Sequence, residues 1–179
     1  MARLTPPSDS SLAIRLQGGD LQALALLIQR YQAPLLRYVR YLGATGEDED
    51  IVQETFIKAY QHIQSFDPKK KWSSWLYRLA HNQAISTLRA HHFALPWDDY
   101  LDRFVKADPV DHLDRDATIK QVRTCLASLP PRYREPLALY YLEDKSYTDI
   151  MDILRLPLGT VSARINRAKK IMRTLCQKT

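Results

Sequence analysis

Between Glu47 and Arg89 the chain passes from an acidic run (Glu47, Asp48, Glu49, Asp50) through Ser65, Phe66 and a lysine triplet (Lys69, Lys70, Lys71) to Trp72 and Trp75. Cations supply what phosphates need and flat rings what unpaired bases need, so this combination suits an opened nucleic-acid strand. Behind it, Arg78, Asn82, Ile85 and Arg89 share one side of a helix, opposite Leu76, Leu79, Ala80 and Gln83. Asn82 suits an exposed base edge, and the Lys69 to Trp72 loop ahead of it could supply phosphate contacts and a wall for an extruded base. Core packing competes for both tryptophans, since aromatics in a small bundle mostly fill volume. Ile85 offers no hydrogen bond and fits this picture least well; contact with a partner or packing in the bundle are its alternatives.

A second constellation closes the chain. Tyr147, Ile150, Ile153 and Leu154 make one short amphipathic helix, and Val161, Ile165, Ala168 and Met172 make another, with a Leu156-Pro157-Leu158-Gly159 turn between them. Gly159 and Thr160 can start the second helix. The face opposite its apolar stripe holds Ala163, Asn166, Arg167, Lys170 and Arg173, with Ser162 and Arg164 at its edges. A basic and amide face on the second of two short helices fits a major groove, where Arg pairs with guanine and Asn with adenine. The competing reading is an ordinary solvated helix face.

The acidic run cannot serve a DNA surface, because like charges repel. With Gln53 and Glu54 one turn later, it reads as a docking face for a basic protein surface; its other reading is charge complementing a helix N-terminus.

These groups need helices to position them. Apolar residues at Leu24, Leu27, Ile28, Tyr31, Leu35, Tyr38, Val39 and Leu42 keep helical spacing, with a kink or restart expected at Pro34. Further helices are expected at about 47–63, 72–91, 117–129 and 132–142, ahead of the final pair. No stretch alternates like a strand. The fold class is therefore all-α: two small helical bundles, residues 1–93 and 119–179, joined by a flexible linker at 94–118 that holds Pro96, Pro109 and seven aspartates. Net charge runs +3, −4 and +7 along these three parts, within the overall +6, so two polyanion-facing modules flank an acidic tether.

Cys125 and Cys176 lack CxxC spacing and read as reduced thiols rather than a zinc knuckle or disulfide framework. His81, His91, His92 and His112 with Asp98, Asp99 and Asp102 lack HExxH-type spacing, so no metal and no cofactor is expected. No stretch reaches the ~20 apolar residues of a membrane span, and the first residues lack a signal-peptide core, so a cytoplasmic location is expected.

With those residues in hand, the chain resembles the extracytoplasmic-function class of bacterial sigma factors. The strings EDEDIVQETFIKAYQHIQSFDPKKKWSSWLYRLAHNQAISTLR and SLPPRYREPLALYYLEDKSYTDIMDILRLPLGTVSARINRAKKIMR are similar to that family's regions 2 and 4, and LQGGDLQALALLIQRYQAPLLRYVR to the start of region 2. The resemblance implies a noncatalytic subunit that binds core RNA polymerase and promoter DNA, commonly under an anti-sigma factor. It implies that Asp48, Asp50, Gln53 and Glu54 belong to the polymerase-gripping surface. Ser65, Phe66, Lys69, Lys70, Lys71, Trp72, Arg78, Asn82 and Arg89 would serve the minus-ten element, with an unpaired base handled by the loop and Asn82. Thr160, Ser162, Ala163, Arg164, Asn166, Arg167 and Lys170 would serve the minus-thirty-five element, and the linker would thread toward the polymerase active centre. Relative to the family pattern, Met151 stands where a small alanine is frequent, Arg155 where glycine is, and Ser162 where a basic residue is.

Two other classes fit parts of the sequence. A self-sufficient transcriptional regulator would bind duplex tightly through the tail without polymerase. A DNA-processing enzyme would need the metal cluster that the histidine spacing does not provide.

Overall fold

A computed structural model describes residues 6–43, 46–91 and 117–177. Among them the chain forms α1 (Asp9–Gln17), α2 (Leu21–Leu42), α3 (Asp48–Gln61), a 3-10 turn (Ile63–Ser65), α4 (Trp72–His91), α5 (Ala117–Ala127), α6 (Pro131–Tyr141), α7 (Tyr147–Leu154) and α8 (Leu158–Cys176). No strand occurs among the described residues. The expected linker lies almost wholly outside them, as do His92, His112, Asp98, Asp99 and Asp102.

Local chemistry sets the helix ends. Ser8 caps α1 by accepting from the Ser11 amide, and Asp20 caps α2 by accepting from the Gln22 amide. Gly43 ends α2 in the left-handed region at φ 85°, which a side chain would oppose. α3 has no side-chain cap bond, but Asp48, Glu49 and Asp50 place negative charge on its first turn. α7 begins with a capping box in which Ser146 and Asp149 satisfy each other's backbone amides.

Two expectations about local structure change. Of the kink or restart expected at Pro34, the restart does not occur: α2 runs through the proline, because Tyr31, Leu35, Tyr38 and Val39 bury one continuous stripe that offsets the lost backbone bond. α8 begins at Leu158, one residue before Gly159, with Pro157 as an extended N-cap that makes no side-chain cap bond. α1 went unforeseen; its Leu12, Ala13 and Leu16 are buried.

α1 to α4 pack as one bundle and α5 to α8 as another. They do not stand apart: α4 packs on α7 and α2 on α6, and one apolar core runs from Leu12 through Leu76 to Ile150 and Ala168. Cys125 on α5 and Cys176 at the end of α8 are bonded, with Cα atoms 5.9 Å apart, so the expectation of two separate reduced thiols is corrected. Sequence spacing could not show that pairing, because only the return of α8 along α5 brings the ends together.

Candidate nucleic-acid interface

The recognition face expected on α8 is present as a surface. Val161, Ile165 and Ala168 are fully buried, while Ala163, Asn166, Arg167 and Lys170 are exposed and Thr160, Ser162 and Arg164 are half-buried beside them. The α6 start adds Arg132 and Tyr133, which line a shallow basic pocket with Gly159, Thr160, Ala163, Arg164 and Arg167. Sequence reading missed this pair, since nothing in its spacing ties residue 132 to residue 164.

The loop ahead of α4 and the face of α4 are arranged differently from expectation. Ser65, Lys69 and Lys70 are exposed, as are Asn82 and Arg89, so these residues can meet a strand. Phe66 and Trp72 are buried at 3% and 1% exposure. Their rings meet edge to face 5.3 Å apart, with Trp75 5.0 Å from Trp72 and 5.2 Å from Phe66. Trp72 therefore anchors the loop to the bundle core and does not present a stacking wall here; the competing packing role wins because three rings bury more surface together than one could against a base. Ile85 is buried too, so of its two alternatives it packs in the bundle.

Two cations of this face are engaged by the other bundle. Lys71 Nζ donates to Asp149 Oδ2 at 2.9 Å, Ser74 Oγ donates to Asp149 Oδ1 at 3.1 Å, and Arg78 Nε donates to the Asp152 carbonyl at 2.7 Å. Burial alone would raise the Asp149 carboxyl, but the hydrogen bonds from Ser146, Lys71 and Ser74 hold it below the ordinary value.

Deeper in the same seam, Tyr77 donates to Glu143 at 2.6 Å and Arg37 pairs with Glu143 at 3.4 Å. Glu135 accepts from the Tyr38 hydroxyl at 2.6 Å and meets His81 Nδ1 at 2.6 Å. Burial pushes the Glu143 carboxyl up despite these partners. Burial also opposes charge on His81, yet the Glu135 carboxylate beside it raises His81 above the ordinary imidazole value. Glu135 is correspondingly held low: burial opposes its charge, and His81 and Tyr38 more than offset that.

The acidic docking residues divide. Asp50 and Gln53 are exposed, whereas Asp48 pairs with Arg40 at 3.4 Å and Glu54 with Lys58 at 3.8 Å. Beside them α2 and α3 leave an apolar groove of ≈ 640 Å³, lined by Leu24, Ile28, Leu36, Phe56, Ile57 and Tyr60 among others. Tyr60, one of the groove residues, is 47% exposed. The groove was not legible in sequence because its apolar residues share the helical spacing of core residues.

Among the described residues no group of His, Cys, Asp and Glu could hold a metal ion, and no helix is long and apolar enough to cross a membrane.

Comparisons with known proteins cover the same two bundles. The family model for Sigma-70 region 2 matches residues 27–93, and that for Sigma-70, region 4 matches residues 119–172. The ECF RNA polymerase sigma factor SigW of Bacillus subtilis is 35% identical over 174 residues, covering 87% of this chain and 89% of that protein. The ECF RNA polymerase sigma-E factor of Haemophilus influenzae is 32% identical, covering 95% of this chain and 96% of that one. Among solved structures, CnrH in complex with the cytosolic domain of CnrY superposes with a TM-score of 0.72 at 23% identity, covering 95% and 97% of the two chains, a likeness of fold.

Proposed function

From the premise that the chain belongs to the extracytoplasmic-function sigma factors of the sigma-70 family, we propose how its residues divide the work of promoter recognition. The protein is not an enzyme. It binds core RNA polymerase and directs transcription initiation at specific promoters, under the control of an anti-sigma factor, and the polymerase performs the chemistry.

Residues 1–93 engage the polymerase and the minus-ten element, residues 119–179 the minus-thirty-five element, and 94–118 connect them. Exposed Asp50 and Gln53, with Asp48 and Glu54, offer acceptors to a basic helix surface of the polymerase. Ser65, Lys69, Lys70 and Lys71 meet the strand backbone, Asn82 reads an unpaired base, and Arg78 and Arg89 extend the cationic track; Phe66 and Trp72 hold the loop in place from the core. On α8, Asn166 and Arg167 read base edges while Thr160, Ser162, Ala163, Arg164 and Lys170 fit the helix to the groove and its phosphates. A protein that works on chromosomal promoters beside the polymerase is placed in the cytoplasm.

The observation that carries this division is the exposed basic and amide face of α8, with its opposite stripe fully buried. The stand-alone regulator would share that face, but full-length similarity to polymerase sigma factors favours the sigma role. Transcription by purified core polymerase on fragmented host DNA, with and without this protein, tests it. New start sites sharing two spaced upstream elements are expected. Tight binding to one duplex without polymerase, and no new starts with it, would establish the regulator instead.

A further inference from the structure

The hydrogen bonds described across the seam run in one direction. Tyr38, Lys71, Ser74, Tyr77 and Arg78 of the first bundle donate; Glu135, Glu143, Asp149 and the Asp152 carbonyl of the second accept. A surface that offers donors and cations is built for a polyanion, and here carboxylates fill it.

The Asp149 position is the most specific part. Its two oxygens take a lysine ammonium and a serine hydroxyl from the first bundle, while the Ser146 amide and hydroxyl fix the carboxylate at 3.1 and 2.6 Å. Ser74 is 4% exposed, so its hydroxyl meets this acceptor instead of bulk water. An ammonium and a hydroxyl at that spacing can donate to phosphate oxygens by the same charge-assisted chemistry with which they donate to a carboxylate.

We propose that Lys71 and Ser74 form a phosphate site for the opened promoter strand, and that Asp149 of α7 occupies that site in the free chain. The inference rests on reading the α4 face as the strand contact. Strand and α7 compete for the same two donors, so the bundles separate when the strand binds. Arg78 is released in the same movement, because its acceptor lies on the same helix. Free protein therefore binds single strands below its intrinsic affinity, in proportion to the fraction that is open.

The test is fluorescence anisotropy of a labelled polythymidine strand with the full chain, without polymerase. Asp149→Asn keeps the shape and the cap acceptor but removes the charge. Strand affinity is expected to rise roughly tenfold, the gain when a competent state populated at about one part in ten becomes dominant. Adding Ser74→Ala to Asp149→Asn should cancel a large share of that gain. Glu143→Gln, which leaves the α7 cap untouched, should raise affinity by a smaller factor and serves if Asp149→Asn weakens α7 itself. Unchanged affinity in both opened variants, with circular dichroism showing intact helices, overturns the proposal. A gain that Ser74→Ala leaves intact overturns it as well, by removing the site. Polymerase-dependent transcription by the same variants keeps the two readings apart: starts retained without an affinity gain reject the masked site and leave the sigma role standing.

Discussion

Lys71, on the loop that precedes α4, and Asp149, in the first turn of α7, meet at 2.9 Å across 78 residues of sequence. The lysine side chain remains 66% exposed while the aspartate is 11% exposed. Most of the energetic cost of desolvation therefore falls on Asp149, which Ser146 and Ser74 offset with hydrogen bonds. Lys71 is the solvent-exposed partner, so it can exchange one anion for another at little desolvation cost.

Arg167→Ala should reduce use of promoters that depend on the upstream element by ~1–3 kcal/mol in apparent binding if the guanidinium makes a paired base contact. Transcription from matched templates that differ only in that element measures it. An equal loss on scrambled upstream DNA would show that the residue touches phosphate alone.

Asn82→Ala should impair strand opening more than polymerase binding, since the amide is exposed on α4 and is not part of the acidic run that opens α3. A template with a pre-formed minus-ten bubble should rescue part of the defect. The remainder should vary with the identity of the unpaired base; a remainder indifferent to base would remove the proposed edge contact.

The bond between Cys125 and Cys176 closes a loop with a sequence separation of 51. Chain-entropy arguments give such a crosslink up to about 4 kcal/mol. Thermal melting of the full chain should fall on adding reductant, and Cys125→Ser should melt at the reduced value with or without it. Identical melting of the wild type in both conditions would mean that the crosslink contributes nothing to stability.

What could be read in the sequence followed from local periodicity. The α4 boundaries, the buried stripe of α8 and its exposed Asn166 and Arg167 all came from three-and-four spacing, which one helix carries by itself. The contacts that decide the site are of another kind. Asp149 looks like a capping residue and is one, yet its second role toward Lys71 and Ser74 exists only because α7 folds back on α4. Trp72 reads equally well as a base platform or a core residue, and the choice depends on where Phe66 and Trp75 lie. α1 was missed because its short apolar set lies in a polar, glycine-flanked stretch, where tertiary burial of Leu12 and Leu16 outweighs weak local preference.

Arg155 ends α7 in the left-handed region at φ 55° and ψ 39°, where a side chain costs ~1–2 kcal/mol. Glycine would relieve that cost but lose ~0.5–1 kcal/mol through the freedom it adds to the unfolded chain. Arg155→Gly should therefore stabilise by no more than about 1.5 kcal/mol on these terms, and removing the repulsion between Arg155 and Arg78 acts in the same direction. Denaturant unfolding measures the balance. A clear loss of stability would show that the arginine side chain makes a compensating contact.

The His81 and Glu135 pair makes closure of the two bundles depend on pH. His81 is raised in the closed form, so its contribution is fully present below the ordinary imidazole pKa and is lost as pH rises through the raised value. Glu143, also raised, takes up a proton more readily when closed, and so acts in the same direction. Glu135 and Asp149, both lowered, act oppositely, but only as pH falls through their depressed values, well below neutrality. Arg89 beside His81 and Arg134 beside Glu135 complete the charged surroundings of the pair, and the Tyr38 hydroxyl that donates to Glu135 is pushed well above its ordinary value by burial, so it stays a neutral donor. Acidification from about pH 8 to pH 6 should therefore tighten closure and weaken binding of a single strand by free protein. His81→Gln should flatten that profile while keeping a donor for Glu135. Small-angle scattering of the full chain across this range reads the closure directly. Expansion of the wild type on acidification, or an unaltered profile in His81→Gln, would rule out control by this pair.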